Sequence, residues 1–197
     1  MILGAATVLA LALHCAPGVA PETLLALARA ESGLDPLALE VNGAQASALR
    51  PQSLAEAVER TRALLAAGAS LDLGLAQINS SNLARLGLTV ESAFDPCRSL
   101  AAGAVLLHEA YASARRDSAD PQAALRLALS VYNTGDQARG FRNGYVARVV
   151  AAAGREAPAP APAARPAAAS PPAWDAFGDL GAPSFVTPMS SAQGAAP

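Results

Sequence analysis

Three short segments of the chain combine one acid, several amides and a tyrosine. They are Glu-Ser-Gly at 31–33, Gly-Leu-Ala-Gln-Ile-Asn at 74–79 and Tyr-Asn-Thr-Gly at 132–135. Each is of a kind that ends a helix or forms a turn beside a cleft. Amides such as Gln77 and Asn79 both donate and accept hydrogen bonds, which suits sugar hydroxyl and N-acetyl groups. One carboxyl group among such side chains indicates a site that cleaves sugars.

The acid of the first segment lies on the apolar face of its helix. Pro21 is typical of a first helical position, and Gly33 followed by Asp35-Pro36 predicts the end. Leu24, Leu27 and Ala28 follow an i, i+3, i+4 pattern, and Glu31 continues it at i+7 on the same face of the helix. A carboxyl group on a core-facing stripe is expected to have a raised pKa, as a general acid needs near neutral pH.

The remaining segments are placed by their own helix and turn signals. Residues 72–80 lack helical periodicity, so we predict a short strand or turn bordering the cleft. Helices are predicted from Ser53 to Gly68, after Asp95-Pro96, after Asp120-Pro121, and from Gly144 to Gly154. The third of these helices delivers the Tyr-Asn-Thr-Gly segment to its C-terminal end.

Composition favours one mainly helical domain. The 197 residues are 52% hydrophobic but only 4% aromatic, and alanine is abundant. A net charge of -2 offers no basic surface for phosphate backbones, so we expect no nucleic acid partner. His14 and His108 are far apart in sequence without further ligands nearby, so no metal and no cofactor is predicted.

The N-terminal segment 1–14 has two interpretations. Residues 2–13 are almost wholly apolar, but no basic residue precedes them, so they form either the first helix of the domain or a leader remnant. They are too short for a stable membrane span, which needs about 20 residues. Cys15 and Cys97 could form a disulfide in a cell-envelope protein, which favours the first-helix interpretation, or they could be two unpaired buried thiols.

The composition changes after the last predicted helix. Nine of the fifteen prolines lie in 156–197, including an alternating Ala-Pro run. We therefore predict that 155–197 is a disordered Pro/Ala-rich tail. Within 174–180, Trp174, Phe177 and Leu180 have the spacing of one face of a short docking helix, although a chance apolar cluster is the alternative.

Residues 15–154 resemble the lytic transglycosylases of the soluble-lytic-transglycosylase (SLT) type in the lysozyme superfamily. The three ordered motifs carry this resemblance. Cys-Ala-Pro at 15–17, Phe-Asp-Pro-Cys at 94–97 and the tail with its Trp-Asp-x-Phe string are similar to the small enzymes that accompany type IV secretion and conjugation systems. The resemblance implies an α+β lysozyme-like fold, action on peptidoglycan and a periplasmic or cell-envelope location.

The resemblance also implies roles for individual residues. Glu31 would be the single catalytic acid and base, cleaving the bond between N-acetylmuramic acid and N-acetylglucosamine and leaving a 1,6-anhydro end. Positioning of the glutamate or the glycan is implied for Ser32, Gln77, Tyr132 and Asn133, and Tyr145 is expected in the cleft wall. Ala76 stands where these enzymes often have methionine, so we expect a lost apolar contact with a sugar ring.

Two alternatives to the transglycosylase remain open in the sequence. The segment with Asp72 also resembles the one that carries the second carboxylate of animal lysozymes, and a retaining hydrolase needs two carboxyls about 5 to 5.5 Å apart. Asp72 could instead bind backbone amides of the turn. The partner-like tail and Ala76 also allow a peptidoglycan-binding scaffold that performs no chemistry.

Overall fold

The computed structural model describes residues 2–43 and 46–154 of the chain. Within these ranges the structure has eight α-helices, four short β-strands and one 3-10 turn at Ser80–Asn82. The helices are α1 Ala5–Cys15, α2 Pro21–Glu31, α3 Leu54–Ala66, α4 Val90–Ala93, α5 Pro96–Asp117, α6 Pro121–Thr134, α7 Arg139–Arg142 and α8 Tyr145–Gly154. The strands are β1 Leu39–Val41, β2 Ser47–Leu49, β3 Leu71–Leu73 and β4 Ile78–Asn79.

The main helices begin at the residues that their capping signals predict. Asp95 accepts a hydrogen bond from the Arg98 amide, and Asp120 accepts bonds from the amides at 122 and 123. A proline follows each of these aspartates, at a position where its missing N–H leaves no intrahelical bond unmade. Ser53 caps α3 by accepting from the Glu56 amide. The predicted mainly helical fold with a short β segment is confirmed.

The four strands form one antiparallel sheet in the order β2-β1-β3-β4. Asp72 in the middle of β3 pairs with Glu40 on one side and Asn79 on the other. Only β3 and β4 lie in the segment that the sequence predicts as strand or turn. The first two strands have three residues each, too few to show an alternating pattern.

Helix α5 lies between the other helices and contacts α1, α2, α4, α6 and β4. Its apolar residues Leu100 and Leu107 are 0% and 2% exposed. Leu100 packs in a cluster with α1 and α2, whereas Leu107 belongs to the larger cluster that joins the sheet, α6 and α8. The central helix therefore connects two apolar clusters and fixes α2, which carries Glu31, relative to α6.

The N-terminal segment forms helix α1, which packs against α2 and α5 through the buried residues Val8 and Ala12. A disulfide joins Cys15 at the end of α1 to Cys97 in the first turn of α5. This bond holds α1 on the domain. None of the helices within 2–43 and 46–154 has the length and hydropathy needed to cross a bilayer.

The predicted tail and its docking motif lie outside the described residues. Helix α8 is the last described element and ends at Gly154. The docking face formed by Trp174, Phe177 and Leu180 therefore stays a prediction from the sequence.

Candidate active site

Glu31 is the last residue of α2 and lines a cavity of about 240 Å³. The chain leaves the helix through Gly33 and Leu34, both with positive φ, so it turns away directly after the acid. Asp72, Gln77, Asn79, Tyr132 and Asn133 line the same cavity. The structure thus brings Glu31 together with five of the other residues that the sequence singles out.

The carboxyl group of Glu31 has one hydrogen-bond partner among the described residues. Tyr145 Oη, at the start of α8, donates to Glu31 Oε1 over 2.5 Å. Tyr145 is 1% exposed, so this contact lies at the base of the site. The other carboxyl oxygen, Oε2, is left for the acidic proton.

Burial raises the pKa of Glu31 from its ordinary 4.5 to about 7. The negative charges of Asp72 and Glu40 also raise the pKa, whereas the Tyr145 hydrogen bond and the Arg148 charge lower it. Burial and the neighbouring Glu31 raise the pKa of the Tyr145 hydroxyl as well, so Tyr145 stays protonated and acts as a donor. Glu31 can therefore exchange a proton near neutral pH.

The segment 74–79 forms a rigid wall of the cavity. Gln77 has φ of +48°, and its Nε2 donates to the backbone oxygens of Ala38 and Gly74. A side chain at Gly74 is excluded, because its Cβ would lie 2.1 Å from the Ala93 oxygen. Since both amide protons of Gln77 bind the backbone, its carbonyl oxygen is the group that remains for a ligand.

Ser32 and Tyr132 stabilise this wall by hydrogen bonds to its backbone oxygens. Ser32 is 2% exposed, and its hydroxyl donates to the Leu75 oxygen over 2.8 Å and to Ala28 over 3.1 Å. Tyr132 Oη donates to the Ala76 oxygen over 2.7 Å. Ser32 therefore connects the end of α2 to the wall without facing the cavity, whereas Tyr132 both supports the wall and lines the cavity.

The expectation that residue 76 faces a sugar ring was wrong. Ala76 is fully buried, and a Cβ placed on Gly103 of α5 would lie 2.9 Å from its side chain. The alanine therefore packs against α5. Its small size and the glycine opposite allow the wall to approach the helix closely.

Asp72, on β3, lines the cavity beside this wall. Its Oδ1 accepts a hydrogen bond of 2.7 Å from Asn79 Nδ2, and Asn79 Nδ2 also donates to the Ser70 hydroxyl. The amide of Asn79 thus holds a carboxylate on the cavity surface. Within 2–43 and 46–154, no backbone amide donates to the Asp72 carboxylate, unlike the alternative that the sequence allows.

Several residues of the site were missed by the sequence analysis. Asn143 Nδ2 donates to Asn133 Oδ1, and Asn143 Oδ1 accepts from the Tyr145 amide. This residue therefore links the end of α6 to the start of α8. The cavity also includes polar residues of the sheet region and one apolar residue of α5 that no motif marks, namely Asn42, Ser70, Asn82 and Leu106.

The hydrogen bond from Tyr145 leads to a prediction about the pKa of Glu31. Tyr145→Phe removes a hydrogen bond that lowers the pKa of Glu31, so we expect this pKa to rise above that of the unchanged protein. An NMR titration of the side-chain carboxyl carbon measures it directly. Tyr111→Phe, on a different face of the domain, is the matched control. A lowered or unchanged value in Tyr145→Phe would contradict the assigned contact.

The comparisons with known proteins agree with this architecture. The family model of the transglycosylase SLT domain matches residues 9–149. Protein virB1 of Agrobacterium fabrum is 48% identical over 140 residues, covering 71% of this chain and 56% of that protein. Type IV secretion system protein virB1 of Brucella suis biovar 1 is 40% identical over 151 residues, covering 74% of this chain and 63% of that protein.

The chain spans somewhat more than half the length of these curated relatives. No solved structure matches the chain significantly. The family model covers most of the described domain, from α1 to α8, and includes Glu31 and the whole cavity wall. The chain therefore belongs to the transglycosylase SLT domain family.

Proposed function

We propose that the protein is a peptidoglycan lytic transglycosylase that uses Glu31 as its only acid and base. The observation that carries this proposal is a partly buried glutamate with a pKa of about 7, held by Tyr145, in a cavity lined by amides. Membership of the SLT family supports the choice of substrate. The side-chain N–H groups of Asn133 and the carbonyl oxygen of Gln77 suit the hydroxyl and N-acetyl groups of a glycan. Asn79 supports this surface instead, because its amide donates to Ser70 and Asp72 and accepts from Ser81.

The proposed reaction returns the proton that it uses. Glu31 Oε2 donates its proton to the bridging oxygen as the bond from that oxygen to C1 of muramic acid breaks. The muramoyl 6-hydroxyl oxygen then bonds to C1 and gives its proton to the Glu31 carboxylate. Tyr145 donates to Oε1 throughout and stabilises the carboxylate that exists between the two transfers. No water is consumed.

The pKa of Glu31 predicts how the rate depends on pH. Only the protonated form can start the reaction, so we expect kcat/KM to fall as the pH rises through about 7. A glutamate with its ordinary pKa of 4.5 would lose activity more than two pH units lower. Initial rates on soluble glycan strands between pH 4 and 9 measure the midpoint. A midpoint near 4.5 would contradict the proposed environment of Glu31.

Product analysis tests the reaction itself. The protein is incubated with purified peptidoglycan sacculi, and the released fragments are analysed by mass spectrometry. Anhydromuramic ends support the transglycosylase, because ring closure forms them without water. Reducing muramic ends would show a hydrolase, and the absence of any release would contradict both enzymes and favour the scaffold.

A muramidase is the second candidate, because Asp72 lies on the same cavity and its charge acts on Glu31. In that reaction Asp72 would form a covalent bond to the sugar, which water then hydrolyses. Asp72→Asn separates the two reactions. The transglycosylase should keep its anhydro products and most of its rate, whereas a hydrolase should lose its rate. Glu40→Gln, which changes the cross-strand neighbour of Asp72, is the matched control.

The biological setting that we propose is local opening of the cell wall for a type IV secretion or conjugation apparatus, in the periplasm or cell envelope. Two relatives carry type IV secretion or virB1 in their names, which supports this setting. Secretion should be lost in a strain that carries only Glu31→Gln. Full secretion by that strain would instead favour the scaffold. Docking through residues 174–180 stays a prediction.

A further inference from the structure

A second polar depression adjoins the catalytic cavity at the turn between α6 and α8. It is lined by Asn133, Thr134, Arg139, Arg142 and Asn143. Asn133 also lines the catalytic cavity, so the two spaces meet at this side chain. A substituent on a sugar bound beside Glu31 can therefore reach this arginine depression, as we call it.

The two adjoining spaces have opposite charge. The catalytic cavity has the carboxyl groups of Glu31 and Asp72, whereas the arginine depression has two guanidinium groups. Asp136 lies near these arginines, but its Oδ1 accepts hydrogen bonds from the Ala138 and Arg139 amides. The positive charges of Arg139 and Arg142 outweigh the single negative charge of Asp136, so the arginine depression has a net positive charge.

Arg142 is the more available of the two arginines. Its side chain is exposed and makes no hydrogen bond or ion pair with the residues that the structure describes. Arg139, in contrast, donates to the Thr134 oxygen over 2.8 Å and lies 4.0 Å from Asp136. A guanidinium without a protein partner keeps its full set of donors for a ligand.

The helix that carries both arginines is held firmly against α6. The Gly140 amide donates to the Ser130 hydroxyl, which itself donates to the Asp136 oxygen over 2.6 Å. A Cβ at Gly140 would lie 2.6 Å from the Ser130 backbone, so only glycine allows this approach. Helix α7 therefore presents its side chains from a fixed position, which lowers the entropy lost when a ligand binds.

We propose that the arginine depression binds a carboxylate attached to the muramic acid residue next to the scissile bond. The proposal rests on the proposed function, because it assigns this substituent to a glycan held by the catalytic cavity. Sugar rings of peptidoglycan are neutral, and their charge lies in the lactyl substituent or in the peptide attached to it. The planar guanidinium matches a carboxylate with two parallel hydrogen bonds, and the amides of Asn133 and Asn143 add further donors or acceptors.

Two sources of this carboxylate differ in their biological meaning. On peptide-bearing strands, the lactyl carboxyl is an amide and the charge comes from the peptide. On strands stripped of peptide, the lactyl carboxylate itself is free. The first source would direct the enzyme to ordinary peptidoglycan, and the second would direct it to strands that an amidase has already processed.

The test compares Arg142→Gln with Arg126→Gln, which removes the same charge from an exposed position on α6 outside both spaces. Four soluble substrates are used: peptide-bearing strands, amidase-treated strands, and each of these with its carboxylates converted to amides. We expect Arg142→Gln to raise KM about fivefold on strands with the recognised carboxylate, with kcat unchanged. Arg126→Gln should leave KM unchanged.

The pattern across substrates identifies the source and decides the proposal. A KM effect confined to peptide-bearing strands assigns the peptide carboxylate, and one confined to amidase-treated strands assigns the lactyl carboxylate. In both cases the effect should shrink at 0.5 M salt, because an exposed ion pair is screened. An equal loss on charged and amidated strands would overturn the proposal, and so would an Arg142→Gln variant that matches Arg126→Gln.

A binding measurement separates this proposal from the proposed function. The equilibrium affinity of the Glu31→Gln variant for each strand is measured with and without the additional Arg142→Gln change. This requires no cleavage, so it remains decisive if the unchanged protein releases no anhydro product. If charged and amidated strands bind equally, the arginine depression has no carboxylate preference, whatever the products of the enzyme are.

Discussion

Replacing Glu31 with glutamine should lower the rate of glycan cleavage by at least about 10³-fold. A general acid or base typically contributes 10² to 10⁴-fold, and Glu31 performs both transfers in the proposed reaction. Glutamine keeps the shape of the side chain and can still accept a hydrogen bond from Tyr145 through its amide oxygen. Release of soluble fragments from sacculi measures the loss.

The matched control is Glu22→Gln, which makes the same change on an exposed residue of the same helix. Its activity should equal that of the unchanged protein. The Glu31→Gln protein should still bind glycan strands, which shows that the cavity is intact. Retention of more than about a tenth of the activity would overturn the assignment of Glu31 as acid and base.

The same variant has a stability signature that a surface glutamate would not give. The folded pKa of Glu31 is about 7, above the 4.5 of the unfolded chain, so the folded state holds its proton more tightly. The free energy of unfolding therefore falls as the pH rises from 4.5 to 7, by about 3 kcal/mol in total. Glu31→Gln cannot ionise and should lack this loss. Its unfolding free energy should exceed that of the unchanged protein above pH 7.

Removing the disulfide should lower the free energy of unfolding by about 4 kcal/mol. The bond closes a loop with a sequence separation of 82 residues, and loop closure restricts the unfolded chain more as the loop grows. Urea unfolding of the Cys15→Ser/Cys97→Ser protein, compared with the unchanged protein, measures the effect. Neither cysteine lines the catalytic cavity, so activity at low temperature should be retained.

A reducing agent provides the control for this prediction. It should destabilise the unchanged protein by a similar amount and leave the double variant unaffected, because only the former has the disulfide. Equal unfolding midpoints for the two proteins under oxidising conditions would show that the bond does not stabilise the domain.

Local signals in the sequence predicted five of the helices, α2, α3, α5, α6 and α8, and the apolar face on which Glu31 lies. Asp95-Pro96 and Asp120-Pro121 begin helices through contacts within four residues, so short segments suffice to recognise them. The apolar period of α2 likewise depends only on that helix. The strands β1 and β2 were missed because three residues each are too few to show an alternating pattern, and β1 is also paired with the more distant β3.

The parts of the site that the sequence could not predict are those set by contacts between distant segments. A sugar contact was expected at position 76 because similar enzymes often have methionine there, but the approach of α5 through Gly103 decides which way Ala76 faces. Asn143 carries no motif, and its link to Asn133 exists only because α6 and α8 meet at the α7 turn. The raised pKa of Glu31 was expected from its helix face, whereas its donor, Tyr145, is 114 residues away.

The distance along the chain between Glu31 and Tyr145 has a consequence for the cell that makes this protein. The acid is synthesised early and its donor almost last among the described elements, and the two meet only when α8 has packed on α2. Before that moment the glutamate is an ordinary solvated side chain with no proton to give at neutral pH. An incompletely synthesised or misfolded copy therefore lacks the protonated acid that the proposed reaction needs, and the order of synthesis delays activity until the domain has folded.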